Sequence, residues 1–366
     1  MGTTRNILLY PVSLIYKLIT GFRNFLYNSN ILPVTVFPVP VICVGNITVG
    51  GTGKTPHTEY LVDLLRKNFK VATLSRGYKR KTGDFRIASM SSTVGEIGDE
   101  PMQIFRKFPD ILVTVDRKRV NGVRNIMDFA SDTEVIILDD GFQHRSIIPG
   151  FTILLSDFER PFMRDHMLPY GNLREDKSNM RRADVILITK CPKNLNPIQR
   201  RLIVKEVGKA PYQSLYFTSL SYRAPLPVFE SNDKDAHHPG LTKRPGSGIV
   251  LVTGIANPRP LKEYLQKFFD EITELAFPDH YSYKELDIAA IITAFNALRS
   301  TPKYIMTTEK DAVRLREFAE IDEKVKSVLF YIPVGINFLN DDKDEFDNLI
   351  LGYVRKNKQH SGISKR

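Results

Sequence analysis

The sequence contains only two cysteines in 366 residues and no tryptophan. Cys43 and Cys191 provide neither a disulfide framework nor the Cys/His spacing of a zinc site, and they suit a reducing cytosol. The apolar N-terminal segment is too short and too interrupted, by Pro11, Lys17 and Arg23, to span a bilayer. We expect no signal peptide, because the segment lacks a small-residue cleavage site. A secreted disulfide scaffold and a zinc module are therefore excluded.

Acidic residues are absent before Glu59, and the whole chain carries a formal net charge of +11. This excess of lysine and arginine indicates an anionic partner, and composition leaves open a nucleotide, a nucleic acid or a membrane surface. Six apolar residues share one face of a predicted N-terminal helix: Ile15, Leu18, Ile19, Phe22, Phe25 and Leu26. A basic amphipathic helix of this kind suits a membrane surface. Most amphipathic helices, however, pack on the core of their own protein, and the segment alone leaves both interpretations open.

After the first helix, short apolar runs typical of strands alternate with helical patterns. Strands are predicted at residues 71–74, 111–115, 135–138, 152–155 and 185–188. This alternation predicts an α/β fold with a mostly parallel sheet and helices on both of its faces. In such sheets, ligands bind beyond the carboxyl ends of the strands.

The length of the chain predicts two domains. Residues 29–216 would form the first, after an N-terminal helical region at residues 1–28. Residues 217–247 are extended, interrupted by proline and then polar, which predicts a linker and an exposed loop. A second, smaller α/β domain is predicted for residues 248–366, with a basic C-terminal tail from Arg355 to Arg366.

The most specific local pattern is a glycine-rich turn between Val44 and His57, VGNITVGGTGKTPH. It follows an apolar strand and precedes a helical pattern, which is the layout of a phosphate-binding loop. The usual pattern has glycine where this chain has Thr48, so we interpret the turn as a variant. The predicted nucleotide-binding residues are consecutive: Thr48, Val49, Gly50, Gly51, Thr52, Gly53, Lys54 and Thr55. Lys54 would reach the terminal phosphates, and the Thr55 hydroxyl would hold Mg²⁺.

A second pattern, EVIILDDGFQH, places Asp139 and Asp140 directly after an apolar strand. This order resembles the Walker-B edge of nucleotide-binding proteins, where a carboxylate holds Mg²⁺ directly or through water. Gly141 permits a sharp exit from the strand, and Gln143 and His144 then project from the same rim. The pattern therefore favours a metal site over a simple turn.

The remaining motifs are less specific by themselves. Asp99 and Glu100 of GDEP are expected to open a helix, where carboxylates often act only as caps. A single histidine beside an aspartate, such as His280 of FPDH, is more often structural than catalytic, although an imidazole can tune a carboxylate base. The motifs SRGY, LPYGNLRE, VTGIANP and TTEKDAVR bring polar or basic groups to strand ends without identifying a reaction.

The order of the motifs resembles the tetraacyldisaccharide 4′-kinase family of the lipid A pathway in Gram-negative bacteria. The resemblance is carried by TVGGTGKTP, SRGY, GDEP, DDGFQH, LPYGNLRE, VTGIANP, FPDH and TTEKDA, and covers nearly the whole chain. It implies ATP-dependent phosphorylation of the 4′-hydroxyl of a tetraacylated glucosamine disaccharide 1-phosphate. It also implies a P-loop kinase domain joined to the second α/β domain by a two-stranded linker, with the active site between them.

The resemblance further implies roles for individual residues. Asp99 matches the catalytic base, His280 matches the histidine that assists it, and Lys54 matches the phosphate-contacting lysine. The implied metal region consists of Thr55, Glu100, Asp139 and Asp140. Further active-site positions are matched by Gln143, His144 and Arg174. Because His280 belongs to the second domain, we expect closure of the two domains to complete the site and exclude water.

The implied cofactors are ATP and Mg²⁺, and the implied partners are the glycolipid substrate and the surface of the inner membrane. The resemblance favours the membrane-surface interpretation of the N-terminal helix, which would hold the protein peripherally on the cytoplasmic face. No nucleic acid and no obligate protein partner are expected.

Two rival functions remain at this stage. One is a P-loop GTPase, or an ATPase of the metallochaperone-like class, in which water replaces the sugar as acceptor. A guanine-reading N/T-K-x-D element would support it, but the nearest candidate, TKCP at residues 189–192, lacks the aspartate. The other is a basic membrane- or nucleic-acid-binding module without catalysis, which leaves the ordered acidic motifs unexplained.

Overall fold

The computed structural model describes residues 7–78, 80–229, 239–243, 245–318 and 320–363, with side chains up to residue 357. Part of the predicted exposed loop, residues 230–238 and 244, lies outside the described residues, as do residues 1–6 and 364–366. The described residues form two sheets with helices packed against them, which confirms the predicted α/β class.

The strands are numbered along the chain. Strands of the first half are β1 (Val41–Gly45), β2 (Val71–Ser75), β3 (Arg86–Ile87), β4 (Leu112–Val115), β5 (Val135–Asp139), β6 (Phe151–Asp157) and β7 (Val185–Thr189). Those of the second half are β8 (Ser214–Tyr222), β9 (Leu226–Pro227), β10 (Gly248–Thr253), β11 (Glu271–Ala276), β12 (Lys303–Thr308), β13 (Leu329–Ile332) and β14 (Val334–Phe338).

The α-helices are numbered in the same way, apart from short 3₁₀ turns. Those of the first half are α1 (Tyr10–Asn28), α2 (Lys54–Leu65), α3 (Val94–Ile97), α4 (Asp99–Lys107), α5 (Arg119–Phe129) and α6 (Pro197–Val207). Those of the second half are α7 (Arg259–Leu265), α8 (Glu285–Ala297), α9 (Glu309–Leu315), α10 (Glu323–Lys326) and α11 (Lys343–Ile363). Residues 355–363 of the predicted basic tail therefore continue α11.

The larger sheet has the order β14-β8-β7-β6-β1-β5-β2-β4-β3. Its strands from β8 to β4 are parallel, whereas β14 and β3 pair antiparallel at the two edges. The side chains of β1 alternate between two cores: Ile42 and Val44 face a cluster that includes α2 and α11, and Val41 and Cys43 face one that includes α5. Helices therefore cover both faces, which is why the central strands are continuous apolar runs.

The smaller sheet has the order β11-β10-β12-β13-β9 and is parallel except for β9. The chain passes from β8 of the larger sheet into the smaller one and returns through β14. These two strands pair antiparallel from Thr218–Phe338 to Tyr222–Val334. They form the two-stranded connection that the fold prediction includes.

Helix α1 turns its apolar face away from the rest of the molecule. Ile15, Leu18, Ile19, Phe22 and Phe25 are between 58% and 72% exposed, whereas the polar Ser13 and Asn24 are buried. The interpretation that this face packs on the protein's own core therefore does not hold for the described residues. Within the same residues, every helix is too short or too polar to cross a bilayer.

Candidate active site

The glycine-rich turn leaves the carboxyl end of β1, in the middle of the parallel sheet. Gly53 has φ of +84°, in the left-handed region that glycine adopts without strain, and α2 begins at the next residue, Lys54. Oγ1 of Thr189 donates to the carbonyl of Thr52 at 2.8 Å. Nδ1 of His57 lies 2.7 Å from the carbonyl of Gly53. Contacts from the sheet and from α2 thus fix the turn.

Asn46 organises the turn from the inside. Its Nδ2 donates to Oγ1 of Thr52 at 2.9 Å and lies 3.5 Å from Oγ1 of Thr48. Its Oδ1 accepts from Nζ of Lys54 at 3.4 Å. Thr48, which replaces the usual glycine, is buried and contributes its hydroxyl to this network. The variant position therefore has a structural role of its own.

Two carboxylates lie at the carboxyl end of β5, the strand that pairs with β1: Asp139 is its last residue and Asp140 follows it. Asp139 is buried and accepts a hydrogen bond from Oγ1 of Thr58 at 3.0 Å. Burial, together with the negative charges of Glu100 and Asp140, raises the pKa of Asp139 to about 7. Carboxylates that repel one another in this way favour the binding of a cation.

Asp140 is surrounded by basic and amide groups. Its Oδ1 lies 3.7 Å from Nζ of Lys54, and its Oδ2 lies 3.3 Å from Nη1 of Arg174. Burial acts to raise the pKa of Asp140, but Lys54 and Arg174 outweigh it and the pKa is lowered. Nη1 of Arg174 also donates to Oε1 of Gln143 at 3.3 Å, and Nε2 of Gln143 donates to the carbonyl of Asn46 at 2.7 Å. One polar rim therefore connects these residues.

His144 lies on the same rim but in a more positive environment. Burial and the guanidinium groups of Arg119 and Arg76 lower the pKa of His144 to about 4. The imidazole is therefore neutral at physiological pH and presents one N–H donor and one acceptor.

The smaller sheet brings His280 to Asp99, the first residue of α4. Nδ1 of His280 lies 2.8 Å from Oδ2 of Asp99, and its Nε2 lies 3.1 Å from Nζ of Lys310. Because the Lys310 ammonium only donates, Nε2 accepts, and we assign the ring proton to Nδ1, from which it is donated to Asp99. Nη2 of Arg314 also donates to the two oxygens of Asp99, at 2.6 and 2.7 Å.

These contacts determine the charge of Asp99. Its side chain is buried, which acts to raise the pKa. The hydrogen bonds from His280 and Arg314 outweigh burial, so that the pKa of Asp99 is lowered. In this arrangement Asp99 is a carboxylate near neutral pH.

Two glycines set the position of the Asp99 helix. A Cβ atom on Gly98 would lie 3.2 Å from Cα of Gly77, and one on Gly77 would lie 2.7 Å from the carbonyl oxygen of Ile97. The SRGY and GDEP motifs thus approach each other more closely than side chains allow. The next residue, Tyr78, places its ring 4.9 Å from that of His280.

These groups surround a cavity of about 670 Å³. Its wall contains eleven of the predicted site residues: Val49, Gly50, Gly51, Lys54, Glu100, Asp139, Asp140, Gln143, His144, Arg174 and His280. The other five lie outside the wall: Thr48, Thr52, Gly53, Thr55 and Asp99. Both parts of the molecule contribute, because Asp279 and His280 follow β11 of the smaller sheet and Lys310 follows β12 in α9.

Helix α1 contributes its polar face to the same wall, through Tyr16, Thr20, Arg23 and Asn24. The hydroxyl of Tyr16 donates to the carbonyl of Arg174 at 3.2 Å, and Nδ2 of Asn24 donates to Oε2 of Glu175 at 3.3 Å. The LPYGNLRE motif therefore has two functions in the structure. It presents Arg174 to Asp140, and it holds α1 beside the cavity.

The side chains that could hold a metal ion are oxygen donors in the first turn of α2, at the end of β5 and at the start of α4. Among the described residues, no group of three or more His, Cys, Asp and Glu side chains is arranged to hold a metal by itself. After burial, the charges of Glu100 and Asp140 contribute to the raised pKa of Asp139, and Thr55 lies in the first turn of α2. Hard oxygen donors that leave coordination positions for phosphate suit Mg²⁺ rather than a zinc or calcium cage.

Sequence analysis did not assign several residues of this site. They are Asn46, Arg76, Tyr78, Lys310 and Arg314. The spacing within TTEKDAVR contains a usable signal, since Lys310 and Arg314 are four positions apart and so lie on one face of a helix. The partners of that face could not be inferred, because Arg314 and Asp99 are separated by 215 positions.

Known proteins that are similar to this chain are kinases of one family. The family described as tetraacyldisaccharide-1-P 4′-kinase (LpxK) matches residues 5–355. The tetraacyldisaccharide 4′-kinase of Bacteroides thetaiotaomicron is 43% identical over 98% of this chain and 96% of its own length. That of Parabacteroides distasonis is 44% identical over 95% of each chain. The crystal structure of LpxK from Aquifex aeolicus in complex with ATP is similar with a TM-score of 0.71 and 29% identity, over 94% of this chain and 98% of that one.

Proposed function

The chain belongs to the tetraacyldisaccharide-1-P 4′-kinase family, and from this premise we propose how its residues perform the reaction. It is an ATP-dependent kinase that transfers the γ-phosphate to the 4′-hydroxyl of a tetraacylated glucosamine disaccharide 1-phosphate in lipid A biosynthesis. The observation that carries the residue assignments is the cavity where the glycine-rich turn, Asp139, Asp140 and His280 meet.

The nucleotide phosphates would bind on residues 48–55. The backbone N–H groups of the turn and the N-terminus of α2 provide partial positive charge for them. Nζ of Lys54 is held between Asn46 and Asp140, at 3.4 and 3.7 Å, so it is positioned at the mouth of the turn. With ATP bound, Lys54 would contact the β- and γ-phosphates.

Magnesium would be held by the Thr55 hydroxyl and by carboxylates among Glu100, Asp139 and Asp140. Bound Mg²⁺ neutralises charge that develops on the transferred phosphoryl group. Lys54 and Arg174 keep Asp140 ionised, as the lowered pKa of this carboxyl indicates. The raised pKa of Asp139 is consistent with a site that needs a cation.

Asp99 would accept the proton of the 4′-hydroxyl, with His280 holding the carboxylate in place. The transition state of phosphoryl transfer is loose, so the proton leaves late and a carboxylate of low basicity suffices. His280 lines the cavity and Asp99 lies behind it. Because Asp99 begins α4 beside the larger sheet and His280 follows β11 of the smaller sheet, the site is complete only when both parts of the molecule are together.

The basic side of the cavity suits the 1-phosphate of the lipid. Arg23 and Arg76 line the wall, and after burial, which is the main cause, their charges and that of Arg119 lower the pKa of His144. The same positive charges would attract a phosphate monoester. We therefore propose that Arg23 and Arg76 bind the end of the disaccharide away from the reacting hydroxyl.

Helix α1 would dock the enzyme on the cytoplasmic face of the inner membrane. Its polar face forms part of the cavity wall, while Leu18, Phe22 and their apolar neighbours face outward. A helix with these two faces can lie in the membrane interface and hold the cavity beside a lipid head group. This arrangement explains why a kinase of a membrane lipid exposes an apolar helix.

The transfer reaction is tested by incubating the enzyme with γ-labelled ATP and an acyl-disaccharide 1-phosphate, and then locating the label. We expect the label on the 4′-hydroxyl, and we expect Asp99→Asn to slow transfer by about 10²- to 10⁴-fold with ATP binding retained. A fully active Asp99→Asn enzyme would remove Asp99 from its role. Release of free phosphate at a rate that the lipid does not raise would favour the rival nucleotide hydrolase.

The membrane interaction is tested separately by vesicle sedimentation of the double variant Leu18→Ser/Phe22→Ser. The matched control is Ile198→Ser/Leu202→Ser on α6, whose two side chains are exposed to a similar degree, 67% and 57% against 72% and 63%. We expect only the α1 variant to lose vesicle binding. Equal losses in both variants would show that general surface apolarity, and not α1, is responsible.

A further inference from the structure

Helices α4 and α9 meet between the two parts of the molecule with crossed ion pairs. Asp99, at the N-terminus of α4, pairs with Arg314 near the C-terminus of α9. Glu309, at the N-terminus of α9, lies 3.0 Å from Nζ of Lys107, the last residue of α4. The two helices therefore run antiparallel, and each acidic end meets a basic end. Only one of the two pairs includes a residue with a proposed part in the reaction.

The Asp99–Arg314 pair has a geometry that fixes the plane of the carboxylate. Nη2 of Arg314 lies 2.6 Å from Oδ1 and 2.7 Å from Oδ2, and its Nε lies 3.1 Å from Oδ1. Both side chains are buried. Nη1 of Arg314 has no hydrogen-bond partner among the residues that the structure describes. The hydrogen bonds described for this guanidinium are therefore all directed to Asp99.

The orientation of Asp99 follows from two partners. A carboxylate offers about four lone-pair positions, and the three contacts from Arg314 and the one from Nδ1 of His280 match that number. The orientation of the carboxylate plane is consequently set by these two side chains. His280 lines the cavity, whereas Arg314 does not.

We propose that Arg314 is a positioning residue for phosphoryl transfer, whose guanidinium group orients the Asp99 carboxylate without contacting ATP or the lipid. This inference rests on the proposed role of Asp99 as the proton acceptor. Proton acceptance requires the carboxylate to meet the 4′-hydroxyl at hydrogen-bond distance, and a rotated carboxylate fails to do so. Arg314 belongs to α9, so the smaller part of the molecule would align the acceptor through two side chains, His280 and Arg314.

Arg314→Lys tests this role because it keeps the positive charge and removes the planar array of donors. We expect kcat for lipid phosphorylation to fall by about 10- to 100-fold, since a misplacement of about 1 Å in an acceptor costs that much. The KM for ATP should change by less than about twofold, because the nucleotide residues remain in place. A kcat within about twofold of wild type would overturn the proposal, as would an equal effect on the KM for ATP.

Lys107→Met is the matched control, because it removes the ion pairs at the other end of the same two helices. It should lower the thermal midpoint while leaving kcat at temperatures below that midpoint unchanged. If Lys107→Met reduces kcat as much as Arg314→Lys, the effect of Arg314 is general packing and the proposal is wrong. Should Arg314→Lys fail to fold, Arg314→Gln is assayed in its place; because it also removes a charge that helps to lower the pKa of Asp99, kcat should fall at least as far, with the KM for ATP again unchanged within about twofold.

A double-mutant cycle with Asp99→Asn separates this inference from the proposed function. If Arg314 acts only through Asp99, adding Arg314→Lys to Asp99→Asn should cost no further activity. An additional loss of the full single-variant factor would overturn the positioning role. High activity of Asp99→Asn alone would instead refute Asp99 as the acceptor, which is a failure of the proposed function that the single variant reports independently.

Discussion

Lys54 connects the glycine-rich turn to the polar rim that contains Asp140. Its ammonium group lies between Asn46 and Asp140, and its side chain lines the cavity. Removing this charge would withdraw the proposed partner of the terminal phosphates and one of the cations that, with Arg174 and Arg119, lower the pKa of Asp140. The loss of Lys54 should therefore weaken ATP binding and slow phosphoryl transfer at the same time.

For Lys54→Met we expect a KM for ATP raised at least about tenfold and a kcat lowered at least about 100-fold, measured in the lipid phosphorylation assay. Lys67→Met provides the control, because Lys67 follows α2 with its side chain 62% exposed. The KM for ATP and the kcat of Lys67→Met should equal those of the wild-type enzyme. Near-normal kinetics of Lys54→Met would contradict the assignment of the turn to ATP phosphates.

His57 gives the turn a defined pH dependence. Its Nδ1 lies 2.7 Å from the carbonyl of Gly53 and its Nε2 lies 2.9 Å from Oγ1 of Thr218, so the neutral ring is hydrogen-bonded on both sides. Burial lowers the pKa of His57 from 6.5 to about 4. The folded state therefore binds fewer protons than the unfolded state between these values, and the stability contributed above pH 6.5 is lost as the pH falls toward 4.

We expect His57→Gln to reduce the loss of unfolding free energy between pH 7 and pH 4 by on the order of 2 kcal/mol. Chemical denaturation at a series of pH values measures this difference directly. Identical pH slopes in the wild type and the variant would show that His57 is not the titrating group. The comparison between the two proteins cancels carboxylates that titrate in both.

The residues of the site differed in how far the sequence revealed them. Lys54 and Asp139 were predicted from local pattern, because a phosphate-binding turn and a strand-end carboxylate have fixed spacing to their elements. The roles assigned to Asp99 and His280 came only from the family resemblance, since the two residues are 181 positions apart. Arg314 was not predicted at all, because its partner is fixed by the packing of α9 on α4.

Among the elements, α2, α4 and α9 share a buried charge network next to the site. Nζ of Lys107 lies 2.5 Å from Glu59 and 3.0 Å from Glu309, and Nε2 of Gln103 donates to Glu59 at 2.7 Å. One ammonium group thus serves two buried carboxylates. Burial and the charge of Glu309 raise the pKa of Glu59 to about 7, against the opposing effects of Lys107 and Gln103.

The raised pKa of Glu59 predicts the sign of a stability change. The folded state holds a proton that the unfolded state releases above pH 4.5, so stability declines as the pH rises from 4.5 to about 7. Glu59→Gln mimics the protonated form and leaves Lys107 paired with Glu309. We expect the variant to be more stable than the wild type at pH 8 by on the order of 2 kcal/mol, and nearly equal to it at pH 4.5. Chemical denaturation at both pH values tests this, and a less stable variant at pH 8 would contradict it.

The elements of the sheet centre were predicted best. Residues 71–74 and 135–138 were expected as strands, and β2 and β5 extend one residue further at their carboxyl ends. Strands that are buried on both faces have continuous apolar runs, which the sequence displays directly. The edge strands β3 and β14 were not predicted, because pairing with a neighbour defines them and they carry no such run. Helix α1 was predicted from its periodicity, but which way its apolar face points is decided by the polar contacts of Asn24 and Tyr16.

At the scale of the whole molecule, the two sheets contribute to one cavity through their carboxyl ends. Strands β1, β5 and β2 present the glycine-rich turn, Asp139 and the SRGY motif, while β11 and β12 lead to His280 and Lys310. Placing ligands at these ends is the general rule for parallel sheets. The rule predicts each half of the site from sequence, but it gives no information on how the halves face each other.

Net charge and α1 together determine how the whole molecule would meet a membrane. The chain carries a formal net charge of +11, whereas the exposed face of α1 is apolar. Attraction of basic residues to anionic lipid is screened by salt, because the Debye length falls from about 10 Å at 0.1 M to about 3 Å at 1 M. Burial of apolar side chains in the interface is not weakened in this way. The two contributions are therefore separable by ionic strength.

We expect binding to anionic vesicles to weaken at least about tenfold between about 0.1 M and about 1 M salt, and to level off at the affinity for neutral vesicles. Sedimentation with both vesicle types measures the two limits. The binding that remains at high salt should disappear in Leu18→Ser/Phe22→Ser. The salt-dependent part of vesicle binding should persist in this variant, because no charge has been removed. Binding that high salt abolishes in the wild-type protein would show that α1 does not insert, and binding that salt leaves unchanged would show that the positive charge of the molecule has no part in docking.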